Sequence, residues 1–119
     1  MNILFRFLCA LALTLGVAVS ASAQSAPVWK DTSFTVSGNC GMCKKTIEKP
    51  FKSMSGIEKA TWDKKTKLFT VRYDASITSV PAIKKIIAGV GYDTDEVKAS
   101  DETYATLPKC CRYRDGSHD

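Results

Sequence analysis

Phe34-Thr35-Val36-Ser37-Gly38-Asn39-Cys40-Gly41-Met42-Cys43 is the stretch that decides the fold. Phe34 and Val36 alternate with Ser33 and Thr35, the period of a half-buried strand. Beyond the loop, Cys43, Ile47, Phe51 and Met54 fall at helical spacing, which predicts a helix from Cys43 to Met54 with one apolar face. A strand that passes into a helix through Cys-x-x-Cys puts both sulfurs at the positive end of that helix. Unpaired backbone N–H groups and the macrodipole there favour thiolate over thiol. Lys44 and Lys45 add positive charge beside it. Such a pair holds a soft metal ion or exchanges disulfides, and the four residues alone do not choose.

Working outward, Pro50 removes a backbone donor, so the helix should bend or break near it. Ser55-Gly56 stops it. Ala60 and Trp62 predict a second strand, Asp63-Lys64-Lys65-Thr66 a polar turn, and Phe69, Val71 and Tyr73, alternating with Thr70 and Arg72, a third strand. Ser79 is placed to cap a second helix with Pro81 in its first turn. Ile83, Ile86, Ile87 and Val90 form its apolar face, and Gly89 or Gly91 ends it. Tyr92 to Val97 predicts a short fourth strand. The order β-α-β-β-α-β implies an α+β, ferredoxin-like fold: an antiparallel four-stranded sheet with two helices on one face. From Ala99 the apolar pattern fades, and Asp101 to Asp119 reads as an extended tail.

The chain has 119 residues, net charge +5 and five cysteines. Residues 1–23 read as a secretory signal. Arg6 gives a weakly basic start, Phe7 to Val19 is almost wholly apolar, and Ala21-Ser22-Ala23 supplies small residues for cleavage before Gln24. The run is too short and wrongly flanked for a transmembrane span. Cys9 and Arg6 would be discarded with it. Residues 24–98 then make one small domain and 99–119 a tail carrying a Cys-Cys pair. No second hydrophobic stretch exists, so no stable membrane insertion is expected after cleavage. Export would place Cys40, Cys43, Cys110 and Cys111 where thiols are often oxidised, and their even number first suggests a disulfide framework. Two close pairs cannot cross-link a domain widely unless the tail folds back onto the loop.

With these elements in place the chain resembles the heavy-metal-associated domain family, which includes periplasmic mercury-binding proteins and small copper chaperones. The likeness is carried by Val36-Ser37-Gly38 entering the loop, by Cys40-Gly41-Met42-Cys43, and by Gly89-Val90-Gly91-Tyr92-Asp93 after the second helix. It spans Ser33 to Val97. It implies one soft ion held by Cys40 and Cys43, in a binding protein rather than an enzyme. The loop departs from the family's Gly-Met-x-Cys-x-x-Cys: Gly38 precedes Cys40 by two residues, and methionine stands between the cysteines. Met42 either fills the core or brings its thioether to the metal, and packing is the expected role. Tyr92 falls where the family often has an aromatic or a lysine near the site, and it equally suits a core cap.

Thiolates select copper(I), zinc(II) and other thiophilic ions over magnesium or calcium. Copper(I) is the first expectation, mercury(II) the second, with zinc(II) behind. Two sulfurs on a surface loop leave the ion open to a third, which permits transfer by transient docking to a metal transporter or efflux protein. Cys110 and Cys111 are possible additional ligands if the tail folds over the loop; otherwise they form a tail disulfide or a second weak site. Adjacent cysteines rarely both reach one ion, so one of them is expected there. His118 belongs to a frayed terminus. Lys44, Lys45, Lys49 and Lys52 form a solvated face that would also steer docking to an acidic partner. The alternative function is a thioredoxin-like thiol-disulfide oxidoreductase, against which the element order argues. Nucleic acid is not expected as a partner, because the third strand lacks the glycine-aromatic pattern of a stacking platform.

Overall fold

The computed structural model describes residues 26–115 and Gly16. The expected leader over residues 1–23, its cut before Gln24, and His118 lie outside the described residues. Strand β1 (Trp29–Thr35) is longer than its apolar alternation predicts, because its outer residues are exposed and only Phe34 is buried. Helix α1 (Gly41–Glu48) begins at the cysteine loop. Pro50 offers no N–H to the Thr46 carbonyl, so the regular helix ends early and a 3-10 turn, Lys49–Phe51, carries the chain on. Phe51 is still delivered to the core.

Strands β2 (Ile57–Trp62) and β3 (Leu68–Asp74) make the central hairpin. Asp63 closes its turn, its Oδ1 accepting from the N–H groups of Lys65 and Thr66 at 2.8 and 2.9 Å. β3 lies between β1 and β2 and is antiparallel to both. A thioredoxin-like core needs parallel pairing, which is absent among the described strands. Helix α2 (Val80–Gly89) starts as expected, Ser79 Oγ accepting from the Ala82 N–H at 3.3 Å.

The fourth strand expected over Tyr92–Val97 is reduced to one bridge, Val36 opposite Thr94, on the free side of β1. Ser37 N–H bonds Asp93 O at 2.8 Å and Asp95 N–H bonds Thr35 O at 3.1 Å, so the segment still runs beside β1. Thr94 then curls it away by bonding Val97 through both backbone and hydroxyl. The ferredoxin-like arrangement stands with this edge shortened. Lys84 of α2 secures the edge. It is 4% exposed, its ammonium lies 2.9 Å from Asp95 and 3.2 Å from Glu96, and it sits 5.0 Å from the Phe34 ring centre.

One core joins Phe34, Trp62, Phe69 and Val71 of the sheet to Cys43, Ile47, Phe51, Ile83 and Ile87 of the helical layer. Among the described residues no helix is long and apolar enough to cross a membrane.

The tail is not extended, as its fading pattern had suggested, but folds back through helix α3 (Asp101–Tyr104) and 3-10 turns at Lys109–Cys111 and Tyr113–Asp115. Tyr104, Leu107 and Cys111 enter the common core. Tyr113 stacks on Tyr92 at 5.7 Å and meets Tyr104 edge-on at 5.2 Å. Its hydroxyl donates to Gly91 O at 2.8 Å and accepts the Asp93 N–H at 2.9 Å. Gly91 has φ +106°, and a Cβ there would stand 2.8 Å from Leu107, so glycine serves both backbone and contact.

Candidate metal centre

Val36 anchors the entry to the loop, its carbonyl accepting from Trp62 Nε1–H at 3.0 Å. Lys67 Nζ holds the Gly38 carbonyl at 2.6 Å from the hairpin side. Cys40 is the N-cap of α1 and Cys43 lies in its first turn, fully buried. Their sulfurs are 3.4 Å apart. Lys44, expected to add charge here, is turned away: its ammonium bonds Glu48 at 2.6 Å and Trp62 O at 2.8 Å.

Burial alone would raise the Cys40 thiol. The Cys43 N–H, the Cys43 and Cys111 thiols and the Met42 N–H outweigh it and bring the thiol down to about 7. The Cys40 thiol is therefore easier to ionise than an ordinary cysteine.

The structure brings all the sequence-predicted site residues together. Cys111 Sγ lies 3.7 Å from Cys40 Sγ and 3.7 Å from Cys110 Sγ. Both tail cysteines reach the loop, where the sequence led us to expect one, because the 3-10 turn at Lys109–Cys111 aims consecutive side chains at the same corner. Cys111 is enclosed and Cys110 exposed. Burial, and then the neighbouring Cys43 thiol, push the Cys111 thiol well above its ordinary value.

Met42 does not pack in the core. It is 53% exposed, and its Sδ lies 3.7 Å from Cys110 Sγ at the mouth of the cluster. Its place one residue into α1 turns it outward while Cys43 turns in.

Asn39, which sequence reasoning had not placed against the sulfurs, now adjoins them together with Tyr92, whose place near the site the family resemblance had offered beside a core-cap role. Asn39 Oδ1 accepts from the Cys43 thiol at 3.0 Å, while its Nδ2 is buried without a partner among the described residues. Tyr92, fully enclosed, has a hydroxyl with no hydrogen-bond partner among the described residues. Burial raises its pKa strongly, and the adjacent Cys111 and Cys43 thiols raise it further without reaching hydrogen-bond geometry. Both groups are buried donors without a partner among the described residues. A thiolate is a better acceptor than a thiol, so a metal-bound sulfur would give the Tyr92 hydroxyl a partner, whereas burial keeps the metal-free Cys111 protonated.

The family model described as heavy-metal-associated domain matches residues 33–93. A copper-exporting P-type ATPase of Staphylococcus saprophyticus is 37% identical over 59 residues, which are 50% of this chain and 7% of the relative. The chain thus spans a small part of that curated relative. Among solved structures, the CopZ metallochaperone is 29% identical with a TM-score of 0.52, covering 55% of this chain and 98% of its own. Oxidized MerP from Ralstonia metallidurans CH34 is 26% identical with a TM-score of 0.53, covering 57% and 96%.

Proposed function

We propose that this chain, which belongs to the heavy-metal-associated domain family, captures one soft metal ion through Cys40 and Cys43 and passes it to a metal transporter or efflux protein by transient docking. The observation that carries this is the 3.4 Å sulfur pair at the start of α1, with Cys40 poised near neutrality. The donor set is sulfur throughout, which favours thiophilic ions and disfavours hard ones.

Copper(I) is the first candidate, supported by the likeness to CopZ and to a copper-exporting ATPase. Mercury(II) is the second, supported by the likeness to MerP; zinc(II) stands behind both. The relatives include both a free metallochaperone and an ATPase segment, which fits a role in handing ions to a transporter. Export by cleavage before Gln24, and hence work in the periplasm or outside the cell, is part of the same reading.

Each thiol that binds releases its proton, so loading weakens as pH falls. Anaerobic competition titrations with the three ions, on the wild type and on Cys40→Ser and Cys43→Ser proteins, test the reading. One-to-one binding that withstands a strong chelator should vanish in both variants; tight copper(I) binding by Cys43→Ser would refute it. N-terminal sequencing of the protein recovered from the periplasmic fraction should begin at Gln24.

A further inference from the structure

A minimal domain of this fold would end near Val97, yet the chain continues and builds a second sulfur pair against the first. The Sγ atoms of Cys40, Cys110 and Cys111 all lie within 4.8 Å of one another. Cys40 is the shared corner, 3.4 Å from Cys43 on one side and 3.7 Å from Cys111 on the other. We propose that the tail closes the site, so that sulfur from Cys110 and Cys111 joins the Cys40–Cys43 pair and a soft metal ion is held by at least three sulfurs instead of two. This rests on the reading of Cys40 and Cys43 as metal ligands.

Sulfur spacing favours the higher coordination number. With metal–sulfur bonds near 2.3 Å, a linear pair stands about 4.6 Å apart, a trigonal set about 4.0 Å and a tetrahedral set about 3.8 Å. The Cys40–Cys111 and Cys110–Cys111 contacts, both 3.7 Å, fall near the trigonal and tetrahedral values, and the Cys40–Cys43 contact of 3.4 Å is shorter still.

The closure is built, not incidental. Leu107 and Cys111 are core residues, and Arg114 grips Asp93 at 2.7 and 3.2 Å and Ala99 O at 2.7 Å.

The exposed members complete the path. Cys110 and Met42, 3.7 Å apart at the surface, are the first soft donors that an arriving ion meets. A two-sulfur ion is open to any incoming thiolate. A three-sulfur ion with a docked tail is held until the tail lifts, which makes release conditional on a partner that displaces it.

X-ray absorption at the copper edge of the copper(I)-loaded wild type should count at least three sulfurs. Cys110→Ser, at an exposed position whose packing is slight, should count one fewer bound sulfur or a substituted oxygen. It should lose its ion to a copper(I) chelator roughly tenfold faster, because a tethered thiolate is lost from high effective concentration. The double variant Cys110→Ser/Cys111→Ser should reach two sulfurs, with circular dichroism reporting whether the fold persists. A wild-type count of two, or a Cys110→Ser protein with unchanged count and release, overturns the proposal. Retention of tight binding by Cys40→Ser/Cys43→Ser would instead overturn the assignment of the loop pair, so the two failures are separable.

Discussion

Gly38 leaves no room for a side chain: a Cβ there would stand 2.8 Å from the buried Trp62 ring and 3.4 Å from Cys43 Cβ. Gly38→Ala should therefore shift the loop against an indole that has no space to yield. The expected cost is about 1–3 kcal/mol in urea unfolding, together with weaker metal binding because Cys43 moves. Asn39 makes a second test. It now accepts from Cys43, and its idle N–H is available to turn toward a Cys43 thiolate. Asn39→Asp replaces that donor with a negative charge, so copper(I) affinity at pH 7 should fall roughly tenfold or more; Asn39→Gln should lose less. Equal affinity in the Asp variant would remove Asn39 from the site's electrostatics. Neither residue was legible as functional in the sequence. The cysteines announce themselves by spacing, whereas Gly38 and Asn39 matter through contacts with Trp62 and Cys43 that exist only once the hairpin packs. Met42 failed for a related reason: a methionine's default is to fill gaps, and only its helical phase shows that it points out.

At the level of elements, α2 and β3 could be read almost to the residue, because Ile83, Ile86 and Ile87, and Phe69, Val71 and Tyr73, carry unbroken periodicity. The outer half of β1 could not, since exposed side chains record no alternation. The tail was misread for a different reason. Its docking depends on Tyr113 and Arg114, whose partners lie about twenty residues away and obey no local period. Arg114→Ala removes contacts to Asp93, Asp101 and Ala99 O at once. It should speed amide exchange through residues 99–115 while leaving the sheet protected, and should hasten metal release although every sulfur remains. Acid should act on the same joint. Burial would raise Asp93, but Arg114 and the Ala99 N–H outweigh it and hold its carboxyl below the ordinary 3.8. A folded value below the unfolded one means the contribution is complete above about pH 4 and fades as pH falls through the lower, folded value. Tail amides monitored by exchange from pH 5 downward should loosen before the core does.

Across the whole molecule, sulfurs far apart in sequence meet at one corner, and an oxidant and a soft ion would compete for them. Removal of two electrons and two protons by oxidised glutathione can join Cys40 to Cys43, which leaves the tail free, or Cys40 to Cys111, which pins it. Their sulfur contacts, 3.4 and 3.7 Å, place both within reach. The second link closes a loop spanning most of the domain and by chain entropy is worth about 4 kcal/mol; the first closes almost nothing. Peptide mapping of the empty protein after mild oxidation should therefore find Cys40 in both cross-links, with the Cys40–Cys111 population unfolding at higher urea concentration. Protein loaded with copper(I) under argon and then treated with glutathione disulfide should yield neither link, because the thiolates that would attack are occupied. Cross-links confined to Cys40–Cys43 would place the tail outside the chemistry of the loop. Links that form equally well with the ion bound would show that the ion is not held by these sulfurs.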